Sequence, residues 1–205
     1  MIGFWWILAA CAAYGVLHSI LASRRVKRMA ARMFGQSAYD RYYRLFFSMV
    51  GTITALPLFA MAALLPDQII YTIPTPWRYL TLVVQAAAVL GLLYGVLQTG
   101  VMPFIGLAQV FQRSGSAETE KLVTDGLYRW VRHPLYTAAF IILWLVPIMT
   151  WNLLALNIGL SAYMIIGTIF EERKLVAHFG DAYVMYRKKT PRIVPGLKGF
   201  MPQKK

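Results

Sequence analysis

Arg132 and His133, set just before Pro134, and the adjacent carboxylates Glu171 and Glu172 are the residues whose types could do chemistry together. An arginine fork pairs with carboxylates, and a histidine exchanges protons near neutral pH. A carboxylate accepts a proton or holds a cation. The first pair lies in Gly126-Leu-Tyr-Arg-Trp-Val-Arg-His-Pro-Leu-Tyr136. That stretch also has an ordinary structural explanation. Pro134 suits the first turn of a helix, and Tyr128, Trp130 and Tyr136 make an interfacial aromatic belt. The glutamates fit such an explanation less well. They follow an apolar run, at a helix C-terminus where the macrodipole disfavours anions and hydrocarbon makes acids costly. Something must compensate them.

The elements that position these residues are apolar. No charge occurs from Phe4 to Leu21, Leu45 to Pro66, Tyr79 to Gln112 or Pro134 to Phe170. A helix needs about 20 apolar residues at ~1.5 Å each to cross ~30 Å of hydrocarbon. The first two runs each predict one span. Gly100 and Pro103 end the third span near Gln98, which leaves Val101–Phe111 at the membrane surface or re-entering it. The last run is too long for one helix and predicts two, turning at Trp151-Asn152. The expected fold is all-α, with five transmembrane helices, the last two forming a C-terminal hairpin followed by an amphipathic tail. With the turn centred between Trp151 and Asn152, Arg132 falls opposite Glu171 and His133 opposite Phe170. Two readings of that meeting stay open: a buried ion pair, or a membrane-edge cleft holding a zwitterionic ligand.

Composition agrees with a bilayer as solvent. The chain is 59% hydrophobic and 14% charged, against about 25% charged in globular proteins. Its mean hydropathy is +0.54. The single cysteine, Cys11, excludes an internal disulfide framework and a Cys-rich zinc site. No metal is expected. No two glycines are spaced i, i+2, so there is no G-x-G phosphate loop. The net charge of +13 could suggest nucleic acid, but 20 of the 21 basic residues fall on one side of the expected spans. By the positive-inside rule that side is cytoplasmic, with the N-terminus outside and the C-terminus inside. Membrane lipids, and not nucleic acid, are the partners this implies. The positive charges follow the first apolar run, so an N-out anchor is expected in place of a cleavable signal peptide.

Three further features have competing readings. Gly91 and Gly95 form a G-x-x-x-G, which reads as helix packing. His18, near the end of the first span, reads as a hydrogen-bonded intramembrane histidine or as a haem or metal ligand. Beyond the glutamates, Leu175, Phe179, Tyr183 and Tyr186 recur at near-helical spacing among charges, which predicts an amphipathic extension against the membrane. Gly180 is placed as its break, with Asp181 opening the next helix.

At Gly126-Leu-Tyr128, Arg132-His-Pro-x-Tyr136, Glu171-Glu172, Phe179-Gly180, Tyr183-x-x-Tyr186 and the spaced Pro191 and Pro195, the chain resembles the integral-membrane methyltransferases. This is the superfamily of isoprenylcysteine carboxyl methyltransferase and phospholipid methyltransferase. His18-Ser-Ile-Leu-Ala-Ser23 and Gly106-Leu-Ala-Gln-Val110 are similar to its bacterial branch of NnrU proteins and methanethiol S-methyltransferases. The resemblance implies S-adenosylmethionine as cofactor, near Leu122, Val123, Gly126, Tyr128, His133, Tyr136 and Glu172. It implies Arg132 and Glu171 beside the transferred methyl or the amino-acid part as catalytic residues, with His18, Tyr183 and Tyr186 in substrate or supporting roles. The chain then reads as one membrane domain. Residues 1–111 would supply three spans and the surface segment, and 112–205 the cofactor-binding loop, the hairpin and the tail.

In true isoprenylcysteine carboxyl methyltransferases the resemblance implies an arginine one helical turn before the first glutamate. Here that position is Gly167, which supplies no charge. The expected acceptor is therefore a small or lipophilic thiol, with an isoprenylcysteine carboxylate second. An NnrU-like, non-catalytic or haem-linked membrane protein is the alternative. A transporter is disfavoured, because the spans lack charges and no inverted repeat is visible. The topology is testable: a cysteine placed at Gln68 should be labelled from outside, and one placed at Gln203 should be protected. Labelling of both, or the reverse pattern, would contradict it.

Overall fold

The structure is a computed structural model that describes residues 2–111 and 122–196. Gln203, used above for topology, lies outside the described residues, as do Arg113 and Lys121 among the basic residues counted there. In chain order the elements are α1 (Ile2–Ala22), α2 (Arg24–Phe34), α3 (Gln36–Leu64), β1 (Ile69–Thr72), α4 (Trp77–Thr99), α5 (Val101–Ile105) and α6 (Leu107–Phe111). After a 3-10 turn at Gly126–Arg129 come α7 (Pro134–Trp144), β2 (Ile148–Thr150), α8 (Trp151–Phe179) and α9 (Asp181–Lys189). The described residues form two compact units. One holds 2–72, 99–111 and 148–163, the other 73–98, 122–147 and 164–196.

Four helices are long and apolar enough to cross a membrane: α1, α3, α4 and α8. The chain is a multi-pass membrane protein. The fifth expected span takes a different form. α7 has 11 residues, about 16 Å at helical rise, and falls short of the ~30 Å hydrocarbon. Leu145 to Pro147 leave the helix, and Ile148–Thr150 become a strand paired antiparallel with β1, Ile69 opposite Thr150 and Thr72 opposite Ile148. Pro147 has no amide hydrogen to continue a helix. The expected turn at Trp151-Asn152 is thereby corrected: Trp151 already opens α8.

α8 also overruns its expected end. It continues through 29 residues to Phe179, because Glu171 to Ala177 are good helix formers with no breaker among them. Glu171 and Glu172 therefore sit inside the helix and not at its C-terminus, so the macrodipole is not their problem. The basic stretch from Ser23 to Arg44, between the first two uncharged runs, is helical as well, forming α2 and the start of α3.

In the first unit the core consists of Ile7, Cys11, Leu58, Ala155 and Leu156. Gly159 admits the cysteine: a Cβ there would lie 2.7 Å from Cys11 Sγ. The segment after α4 breaks at Gly106, whose φ of 92° places it in the left-handed region. A Cβ at Gly106 would also sit 2.5 Å from the Leu45 nitrogen, so the α5–α6 elbow presses directly on α3. Arg41 Nε fixes it by donating to the Val110 carbonyl at 2.9 Å. In the second unit, Gln85 Nε2 ties α4 to α7 through the Ile142 carbonyl at 2.8 Å. Only the latter half of the G-x-x-x-G is a close contact. A Cβ on Gly95 would meet Leu135 at 2.7 Å, whereas nothing lies near Gly91.

Asn152 closes the start of α8 against the end of α3. It is 1% exposed, its Nδ2 donates to the Leu65 carbonyl at 3.1 Å, and its backbone N–H donates to Asp67 Oδ1 at 3.1 Å. Asn152→Leu should leave that carbonyl unpaired and cost about 1–3 kcal/mol. Thermal unfolding in detergent would register the loss, and an unchanged melting temperature would show that the contact is dispensable.

Candidate functional site

Pro134 fixes the start of α7 and leaves His133 at its N-cap, so Arg132 and His133 lie outside any helix. Their backbones pair with the chain after α9. Arg132 N–H donates to the Pro191 carbonyl at 2.9 Å and His133 N–H to the Arg192 carbonyl at 3.0 Å. Thr137 Oγ1 adds a bond to the Ile193 carbonyl at 2.6 Å. This short pairing delivers the Arg132 side chain to α8.

The Arg132 guanidinium meets Glu172, one residue beyond the Glu171 that the hairpin register predicts. That register assumed a helical turn at Trp151, whereas Arg132 reaches α8 from a non-helical segment. Arg132 Nε and Nη2 donate to Glu172 Oε1 at 2.9 and 2.7 Å. Nη1 donates to the Arg187 carbonyl at 3.1 Å and to the Thr190 carbonyl. The two side chains are 7% and 3% exposed. Arg192 brings a second guanidinium, its Nη2 donating to Glu172 Oε2 at 3.1 Å. Glu172 is therefore saturated by internal partners.

Glu171, one residue earlier, is not. Its side chain is 46% exposed, and Oε2 accepts a hydrogen bond from the Tyr136 hydroxyl at 3.1 Å. His133 lies between the two carboxylates, with Nε2 3.3 Å from Glu172 Oε1 and Nδ1 3.7 Å from Glu171 Oε2. Only the first is within hydrogen-bond reach, which makes Nε2 the protonated nitrogen of a neutral ring. Burial pushes the His133 pKa down, and the fields of the two glutamates offset only part of that. Its ring stacks on Tyr136, centroids 5.5 Å apart.

The tail closes the arrangement. Tyr186 donates its hydroxyl to the Tyr128 carbonyl at 2.5 Å, and burial pushes its pKa up. Tyr183 is 1% exposed, and its hydroxyl has no hydrogen-bond partner among the described residues. Burial, reinforced by the charge of Glu172, raises the Tyr183 pKa to about 12. Gly126 has φ 56°, and a Cβ would strike the Gln98 side chain at 2.5 Å. Gln98 Nε2 uses that approach to reach the Asp125 carbonyl at 3.1 Å. Leu122 and Val123 are half-buried in the same unit. His18 belongs to the first unit, where its ring packs among Phe47 at 4.3 Å and Tyr14 and Tyr163 at 5.6 Å.

Comparison with known proteins places this geometry. Residues 82–182 match the family model described as phospholipid methyltransferase. That stretch is similar to the phospholipid methyltransferase family. The match agrees with the superfamily resemblance seen in the sequence, and so do the relatives. Methanethiol S-methyltransferase 1 of Bradyrhizobium diazoefficiens is 28% identical over 191 residues, 92% of this chain and 65% of the relative. The methanethiol S-methyltransferase of Mycobacterium tuberculosis is 41% identical over 69 residues, 34% of this chain and 28% of the relative. The protein-S-isoprenylcysteine O-methyltransferase of Schizosaccharomyces pombe is 31% identical over 121 residues, 50% of this chain and 51% of the relative. The chain thus spans less than two thirds of the length of these relatives. No solved structure matches it.

The phospholipid methyltransferase match ends before Tyr183, Tyr186, Thr190 and Arg192, which all turn back onto it. Thr137, Thr190 and Arg192 were not among the sequence candidates. A cation between Pro191 and Pro195 was the available signal for Arg192, but only the spaced prolines entered the resemblance. The neutral His133 yields a pH prediction. Its folded pKa lies below its ordinary value of 6.5, so below about 6.5 the unfolded chain takes up a proton that the folded chain does not. Stability should fall as the pH drops through that window. His133→Gln should flatten the slope, as read by thermal unfolding over a pH series, and an unaltered slope would show that His133 is not the titrating group.

Proposed function

We propose that this chain is an S-adenosylmethionine-dependent membrane methyltransferase acting on a small or lipophilic acceptor, a thiol in preference to an isoprenylcysteine carboxylate. The observation that carries this reading is the different engagement of two neighbouring glutamates. Glu172 is locked inside by two arginines, while Glu171 stays half-exposed beside Tyr136. The donor set fits a cofactor with a cationic sulfur and a zwitterionic amino-acid part. Glu171 suits the cations, and the 42% exposed Arg192 side chain suits a carboxylate.

When bound, the cofactor supplies a methyl group activated on a positively charged sulfur. The protein's part is positioning, water exclusion and one proton transfer. Leu122, Val123, Gly126, Tyr128, His133 and Tyr136 would surround the ligand. Arg132 and Glu172 act by positioning, since their polar atoms are taken up by each other and by the tail. Glu171 would accept the proton of a thiol, because the thiolate is the nucleophile. Its hydrogen bond from Tyr136 orients the carboxylate for that step. Gly167 supports the thiol reading: a Cβ there would have only the Tyr136 hydroxyl in range, at 3.9 Å, so the position offers space and no cation. Membrane orientation follows the basic residues, with α7 and the extended 145–150 stretch together making the fifth crossing. The site then opens to the cytoplasm.

The two glutamates separate experimentally. Glu171→Gln should weaken S-adenosylhomocysteine binding more than tenfold, about 1.4 kcal/mol, with little change in melting temperature. Glu172→Ala leaves a buried guanidinium poorly paired and should lose both binding and stability, the latter by about 3–5 kcal/mol. Full binding by Glu171→Gln would remove the carboxylate from the ligand site. The acceptor is tested by competing an alkyl thiol against a farnesylcysteine analogue at equal concentration. The thiol should win, and Gly167→Arg should shift the ratio towards the carboxylate. Preference for the carboxylate in the unaltered protein would overturn the acceptor assignment.

A further inference from the structure

The first unit contains a cavity that the proposed methyl transfer does not use. It has a volume of about 540 Å³ and lies between the end of α1, α2 and the first turns of α3. That is within the ~300–1,000 Å³ common for small-ligand sites. Val26, Met29, Met33, Ala38, Tyr42 and Phe46 are among its walls, and the hairpin is held by Tyr43, whose hydroxyl donates to the Leu21 carbonyl at 2.6 Å. The wall is apolar, and two of its residues, Met33 and Phe34, are 68% and 71% exposed.

α2 separates its residues sharply. At ~100° per residue, Val26, Met29, Ala30, Met33 and Phe34 occupy one arc of about 140°. Arg24, Arg25, Lys27, Arg28 and Arg32 occupy the remainder, with Arg25 and Lys27 at its two edges. The helix has five cations in 11 residues and no acid. Arg24, Arg25, Arg28 and Arg32 are exposed and form no ion pair among the described residues. The nearest acid in sequence, Asp40, already accepts Gln36 Nε2 at 2.8 Å. Topogenic charge needs cations in a loop but not their segregation from an apolar arc that walls a cavity. Such an arrangement suits a helix lying in the headgroup layer.

We propose that this cavity binds one acyl chain of an anionic phospholipid, whose phosphate is held by the arginines of α2. The chain enters between α2 and α3 from the hydrocarbon side, and the headgroup stays at the level of Arg25, Arg28 and Arg32. The charge complementarity selects an anionic lipid over a zwitterionic one, while the cavity accounts for retention through detergent extraction.

The test is native mass spectrometry of the full chain released from nanodiscs containing equal phosphatidylglycerol and phosphatidylcholine with identical acyl chains. One retained lipid is expected, enriched at least fivefold in phosphatidylglycerol. The exposed triple variant R25Q/R28Q/R32Q should lose the enrichment but keep a lipid. Ala30→Phe and Ala38→Phe, each filling the cavity, should lose the lipid, and circular dichroism checks that each variant remains folded. Equal retention of both lipids by the unaltered protein would overturn the proposal, as would unchanged enrichment in the triple variant. Retention by both folded cavity-filling variants, or a second copy of the chain bound in place of lipid, would overturn it too.

Discussion

The contact between Arg132 and Glu172 is the constraint on which the second unit depends. Placing a carboxylate within a membrane helix at 3% exposure is costly unless a cation comes with it. The cation is fixed in turn by the Arg187 and Thr190 carbonyls, so the Glu172 turn of α8, the Arg132-His133 segment and the chain after α9 are held together. Such a pair adds little net stability compared with apolar packing, yet removing one partner is severe. Its value here is geometric. It sets the rotation of α8 that leaves Glu171 open while Glu172 is closed, and two identical side chains thereby acquire different chemistry.

Much of this was legible in the sequence because apolar runs and charges obey coarse rules. Four helices follow the uncharged runs, the break near Gln98 falls at Gly100, and Gly180 separates α8 from α9. That the glutamates would need cations from before Pro134 could be reasoned from cost alone. The finer placement could not. The register came within one residue, and the pairing of β2 with β1, a contact between stretches about 75 residues apart in sequence, is one that no local pattern announces. α2 was hidden for another reason. Its cations satisfied a topological rule so well that the apolar arc between them drew no attention.

The proposed function rests on the different surroundings of the two glutamates. A half-exposed carboxylate can meet a ligand from the water side, while the residues that shape its surroundings are buried and internally satisfied. His133, neutral and stacked on Tyr136, can adjust to either glutamate without adding a charge. Tyr183 is buried in this cluster, close enough to Arg132 and Glu172 to feel both charges. The family match covers the glutamates but ends before this tyrosine, so the tail completes what the matched stretch begins.

The backbone pairing of Arg132 and His133 with Pro191 and Arg192 also orders events during synthesis. Every described helix long and apolar enough to cross the bilayer precedes residue 180, so these helices can be threaded before the tail has left the ribosome. Until Arg192 emerges, Glu172 lacks one of its cations and the Arg132 guanidinium lacks its carbonyl acceptors. The site is therefore assembled last, after insertion is complete. A nascent chain stalled within the final helix would be a membrane protein in every respect except its chemistry.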